Sequence, residues 1–97
     1  MTAPVVALDR LHDLREDIDA IDRRLVSLLA QRMQVVDQVI ARKREAGLPA
    51  LIPSRVEDVV AKVRAEADRV GLAPDLGETV WRALMAWVID YEARHLA

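Results

Sequence analysis

The sequence predicts an all-α fold: three helices per chain, one of them a very long N-terminal helix, assembled as an intertwined helical homodimer. Three observations carry this. Apolar residues recur every three or four positions, at Leu11, Leu14, Ile18, Ile21, Leu25 and Leu28, and the spacing continues through positions 32, 36, 39 and 43. Leu, Val, Ala, Arg and Asp dominate the 97 residues, Phe is absent and aromatics make up only 3%, a mixture that favours helices over sheets. Only three Gly and four Pro interrupt the chain.

The first helical pattern opens near Asp9 or Leu11 and runs to about Ala46, after an N-terminal tail at 1–8; residues 9–97 read as one domain. Asp13, Glu16 and Asp17 stand in its first turns and Arg42, Lys43 and Arg44 in its last, which suits the helix dipole. Gly47 is placed as the C-terminal cap. Pro49 and Pro53 bracket a short link. Ser54 reads as the N-cap of helix two, with Glu57 completing a capping box. That helix spans about Arg55 to Val70, with Val56, Val59, Val60 and Val63 as its apolar face, and Gly71 stops it. Pro74 and Asp75 introduce helix three, which carries Leu76, Val80, Leu84, Trp87, Val88 and Tyr91.

The length of the first helix sets the expected assembly. About 36 residues give a rod of roughly 54 Å, whereas a compact chain of this size has a radius of gyration of about 12–13 Å. Two shorter helices cannot cover both ends of such a rod, so its stripe calls for a second chain. The alternative is a monomeric bundle with the helix broken near Gln31–Arg32, but no Gly or Pro stands there to break it.

The net charge of −2 gives no general attraction to nucleic acid or to an anionic membrane. The absence of Cys removes disulfides and thiolate metal sites. The N-terminal residues lack the basic and apolar regions of a signal peptide, and no apolar run approaches the roughly 20 residues that span a bilayer. A soluble cytoplasmic protein is the expectation. His12 and His95 have no metal-ligand spacing and read as surface or end residues. No nucleophile–base pair, phosphate loop or dinucleotide turn is present, so an enzymatic reading needs no covalent intermediate and no cofactor.

The informative residues are cations placed on the stripe. Arg32 and Lys43 occupy core-spaced positions, and a charge there is costly unless it meets an anion. Eleven steps return almost to the same face, offset by about 20°, with the Cα atoms roughly 16 Å apart. Two long side chains can lean inward from those points and grip the ends of a small dianion. The alternative is that Arg32 pairs with a neighbouring acid and Lys43 caps the helix dipole. Arg15 lies on a different side and could reach the same ligand from the partner chain of an antiparallel dimer, or be a surface residue paired with Asp19. Arg55, at the start of helix two, could close over a ligand, or stand solvated near Glu57 and Asp58. Glu92 shares a face with Trp81, Met85, Val88 and Ile89. An acid on an apolar face can hold a proton and donate a hydrogen bond, or it can pair with Arg94 or a neighbouring helix.

These residues resemble the all-helical chorismate mutase family, which also contains isochorismate-pyruvate lyases. Leu-Arg-Glu-Asp-Ile-Asp-Ala-Ile-Asp at 14–22 is similar to the family's opening pattern, and Leu-Leu-Ala-Gln-Arg at 28–32 to its second signature. Lys43 and Arg55 follow at the family's intervals, and the likeness covers about residues 9–96. The resemblance implies that Arg15 crosses from the partner subunit to one substrate carboxylate and that Arg32 binds the other. It implies that Lys43 hydrogen-bonds the ether oxygen whose bond breaks and that Arg55 closes from helix two. Glu92 stands where many members place Gln, as a second donor to that oxygen. The chain departs from many mutases at Ile52 and Val56, where they carry acids, and at Val88, polar in some. Val56 and the Trp87 region look closer to the lyases. The resemblance implies rearrangement of chorismate to prephenate. The alternatives are isochorismate-pyruvate lyase or aminodeoxychorismate mutase activity, and a non-catalytic helical dimer that binds a metabolite or regulates a partner enzyme.

Overall fold

The computed structural model describes the backbone of residues 3–97 and the side chains from Ala7 onward; the first two residues of the expected N-terminal tail lie outside the described residues. Three helices follow one another: α1 (Ala3–Ala46), α2 (Pro53–Val70) and α3 (Pro74–Leu96). No strand is present among the described residues. The all-α, three-helix expectation is met.

Helix α1 begins earlier than Asp9 or Leu11. Residues from Ala3 to Leu8 already belong to it. Pro4 falls in the first turn, where backbone N–H groups have no partner within the helix and a missing one costs nothing. From Val5 to Ala46 no Gly or Pro interrupts the helix. Its end is built as expected. Gly47 takes φ 67°, a left-handed conformation that only glycine adopts cheaply. That turn sends the Leu48 N–H to the Lys43 carbonyl at 2.8 Å and the Gly47 N–H to the Arg44 carbonyl at 3.3 Å, which closes the last turn. Gly71 repeats the device at the end of α2, with Leu72 N–H on the Ala67 carbonyl at 2.8 Å.

The start of α2 corrects the sequence reading. Its N-cap is Ile52, not Ser54, and no side chain caps it. Pro53 occupies the first helical position, where its fixed φ starts the helix and its missing N–H is harmless. Ser54 therefore already lies inside the helix, the capping box does not form, and Glu57 is free to pair across to α3.

The chain divides into two compact units, residues 1–35 and 36–97. In the first, Leu11, Leu14, Ile18, Ile21, Leu25 and Leu28 are all exposed. In the second, Val36 and Ile40 from the end of α1, Val60 and Ala67 from α2, and Met85 and Val88 from α3 are buried. Gly77 marks a close approach of α2 and α3: a Cβ there would stand 3.1 Å from Val63 Cγ1. The stripe expected on α3 is rotated. Leu76, Val80 and Trp87 are exposed, while Gly77, Met85, Val88 and Glu92 face inward. Helix α3 turns its small residue and its acid to the core, and that pattern is invisible to a search for large apolar side chains.

An ion-pair network ties α2 to α3 at the surface. Arg82 donates to Glu57 at 3.0 and 3.2 Å and to Glu78 at 2.7 Å; Arg64 donates to Glu78 at 2.8 Å and to Asp75 at 3.0 Å. The Arg82 guanidinium holds Glu57 below the ordinary glutamate range, and Arg82 with Arg64 does the same to Glu78. A depressed folded-state value favours folding above the unfolded value, about 4.3, and that contribution disappears as pH falls through the folded value. Arg82→Ala is expected to lower Tm modestly at neutral pH, as exposed pairs do. The difference from the parent should shrink as pH falls below the unfolded value, about 4.3, and vanish once it has passed the lowered folded values. Thermal melts between neutral and acid pH test this, and a gap independent of pH would rule the network out as its source.

Candidate active site

The last turns of α1, the link after it and α3 place an acid and a base side by side. Lys43 Nζ lies 2.9 Å from Glu92 Oε1, with the two side chains 14% and 8% exposed. The same ammonium donates to the Ala50 carbonyl at 2.8 Å. Glu92 Oε1 is buried and accepts no hydrogen bond. The ammonium meets it as an ion pair and also holds the Ala50 carbonyl. A buried carboxylate oxygen without a directed hydrogen bond keeps a lone pair open to a further donor.

Two polar contacts flank the pair. Tyr91, one residue before Glu92, donates its hydroxyl to Asp37 Oδ1 on α1 at 2.8 Å. That bond to the Asp37 carboxylate raises the Tyr91 phenol above its ordinary value. Arg44 donates to the His95 carbonyl. Both hold α3 against the end of α1, on either side of Glu92. Tyr91 also stacks on Trp87, with ring centroids 5.4 Å apart.

The five residues singled out in the sequence fare differently. Lys43 and Glu92, which the family resemblance directs to the same ligand oxygen, are also paired with each other. Glu92 pairs with α1 and not with Arg94, whose partner is Asp90 at 3.3 Å. Arg55 is exposed and pairs with Asp58 on its own helix at 2.7 Å. Asp58 is held below the ordinary aspartate range by Lys62 and by Arg55. Arg15 and Arg32 belong to the first unit, where Arg15 is exposed and Arg32 half-buried. Among the described residues neither forms an ion pair, so the Arg15–Asp19 pairing and an acid partner for Arg32 are both absent there. His12 is a surface residue, 3.2 Å from Glu16. Asp37, Tyr91 and the Ala50 carbonyl were not singled out in the sequence. A backbone carbonyl leaves no sequence signal, and the Asp37–Tyr91 contact joins residues too far apart for any helical spacing to reveal.

This arrangement can offer an oriented cation and a carboxyl group to one oxygen atom in a shielded position. Such a pair suits a reaction in which negative charge grows on an oxygen without transfer of a proton to solvent.

The profile described as chorismate mutase type II matches residues 14–93, which include Arg15, Arg32, Lys43, Arg55 and Glu92. The T-protein of Haemophilus influenzae is 40% identical over 78 residues, 80% of this chain and 21% of that protein. The T-protein of Enterobacter agglomerans is 42% identical over 72 residues, 74% of this chain and 19% of its own length. The chain thus spans about a fifth of these two relatives. A chorismate mutase from Methanocaldococcus jannaschii is 23% identical over 78 residues, 80% of this chain and 79% of that protein.

Proposed function

Because the chain belongs to the chorismate mutase type II family, we propose that it converts chorismate to prephenate in a site shared between two copies of the chain. The observation that carries this reading is the Lys43–Glu92 pair, 2.9 Å apart and nearly closed to solvent. The rearrangement breaks one C–O bond and forms one C–C bond within a single molecule. No atom leaves, no electrons are exchanged with a cofactor and no nucleophile is needed. The protein has two tasks: to fold a flexible dianion into the reactive chair, and to stabilise the charge that builds on the ether oxygen.

Arg32 is a half-buried cation without an acid partner among the described residues, which supports its role in holding one carboxylate. Arg15, supplied by the partner chain, holds the other. Arg55 exchanges Asp58 for the substrate as α2 closes. Positioning of this kind can remove up to about 7–11 kcal/mol of barrier in ideal intramolecular cases. Lys43 donates to the ether oxygen, and a cation gains more from a developing oxyanion than from a neutral ether. Glu92 donates the second hydrogen bond, for which its carboxyl group must carry a proton in the complex.

The shared site rests on the stripe of the first unit. Leu14, Ile18, Ile21, Leu25 and Leu28 are 46–58% exposed and lie along one helix face. A run of this kind marks a surface that another chain covers. No helix among the described residues is long and apolar enough to cross a membrane, so the stripe is not a membrane span.

The substrate is tested directly by offering the purified protein chorismate, isochorismate and aminodeoxychorismate in parallel and measuring prephenate, salicylate and pyruvate. Prephenate from chorismate at the highest kcat/KM is expected. Salicylate with pyruvate from isochorismate as the faster reaction would move the assignment to the lyase, the reading that the half-buried Val56 beside Arg55 favours. No turnover of any of the three would leave a dicarboxylate-binding dimer.

A further inference from the structure

We propose that the Ala50 carbonyl is a positioning group that aims the Lys43 ammonium, so that the α1–α2 link takes part in setting turnover. The inference rests on the assignment of Lys43 to the ether oxygen. It starts from an asymmetry in how that ammonium is held. Two acceptors surround it, Glu92 Oε1 at 2.9 Å and the Ala50 carbonyl at 2.8 Å. The carbonyl takes a directed hydrogen bond, whereas the Glu92 oxygen is held as a close ion pair. The backbone of the link therefore restricts the direction of one N–H bond, while the carboxylate holds the charge.

The link is built for this. Lys43 is attached to it twice, once through its own carbonyl, which takes the Leu48 N–H at 2.8 Å, and once through its ammonium on Ala50. Gly47 at φ 67° makes the turn that brings residues 48–50 back alongside the last turn of α1. Pro49 and Pro53 restrict the backbone on either side of Ala50. A lysine side chain has several rotatable bonds and an ammonium that can spin, so an unanchored one loses entropy when it must meet a single oxygen atom. A carbonyl that takes one of its three protons leaves the others with a restricted set of directions. One of these can meet the ether oxygen without displacing the anchor.

The test weakens this one acceptor and touches no side chain. In the full-length chain, Leu51 is replaced by its α-hydroxy acid, which turns the 50–51 amide into an ester. An ester carbonyl is a poorer acceptor, and the Leu51 N–H that is lost makes no hydrogen bond among the described residues. The control is an ester one peptide unit later, with the α-hydroxy acid at Ile52, which weakens the Leu51 carbonyl instead and removes an N–H that makes no backbone hydrogen bond among the described residues. The expected result for the Leu51 ester is a fall in kcat of about three- to tenfold, the range of one ordinary hydrogen bond. KM should stay within about twofold, Tm should match the parent, and the control ester should turn over normally. A purely structural role would lower Tm, or would move both esters alike, and either result would overturn the proposal. An unchanged or raised kcat in the Leu51 ester would also overturn it. If that occurs while Lys43→Gln is inactive, the role of Ala50 fails alone. If Lys43→Gln turns over normally, the assignment of Lys43 fails first and the inference falls with it.

Discussion

Lys43→Gln is expected to lower kcat by about 10²–10³-fold, the loss seen when one preorganised donor to a developing oxyanion is removed. The choice of glutamine over alanine follows from the structure. Lys43 and Glu92 are 14% and 8% exposed. Cutting back to alanine would strand a carboxylate, and breaking a buried pair this way costs about 3–5 kcal/mol of stability unless the acid takes up a proton. Lys43→Ala would therefore mix a folding defect with a chemical one. Glutamine keeps a polar N–H on a side chain one bond shorter, but brings no charge. Its Tm should fall less than that of Lys43→Ala while turnover falls sharply, because the missing quantity is the interaction between a full charge and a growing one. Glu92→Gln provides the contrast: an amide there still donates, so turnover should largely persist. Near-normal kcat in Lys43→Gln would remove the ammonium from the mechanism.

The second large effect is a recovery. If Arg15 serves the site of the partner chain, Arg15→Ala and Lys43→Gln are each inactive alone but complementary together. In a dimer of one chain of each kind, one site inherits both defects and the other inherits neither. Random pairing makes half the dimers mixed, so co-refolding equal amounts should restore about a quarter of parental activity. Mixing without unfolding should restore it only as fast as chains exchange. Activity that stays at the sum of the two variants would mean that Arg15 acts in its own chain or not at all. The outcome does not depend on the size of either single defect, provided each is severe, and it probes the shared site more sharply than a measurement of mass.

Much of the fold is legible in the sequence because its punctuation has local causes. Gly47 and Gly71 end helices through their own backbone geometry, and Pro74 begins one through its fixed φ. Where two local signals compete, the pattern misleads. Ser54 and Glu57 spell a capping box, yet Pro53 starts α2 ahead of them and the cap has nothing to bond. Side-chain size misleads on α3, where Leu76 and Trp87 point outward and Gly77 and Glu92 inward. For the site, helical spacing picks out Lys43 and Glu92 as charges among apolar neighbours. It cannot report that they meet each other, because that depends on how α3 lies against the end of α1. Asp37–Tyr91 and the Ala50 carbonyl are hidden for the same reason.

Gly77 has a consequence for cooperativity. Inside a helix a glycine costs about 1 kcal/mol relative to alanine, so α3 is intrinsically weakest near its beginning. What α3 gives up in its own propensity it recovers only when α2 lies close enough for Val63 and Ala67 to fill the space a side chain would have taken. Helix α3 is thus completed by its neighbour, and the two should melt as one element. The helix that carries Glu92 inherits its order from the helix that follows the link, and the acid end of the site is only as firm as α2.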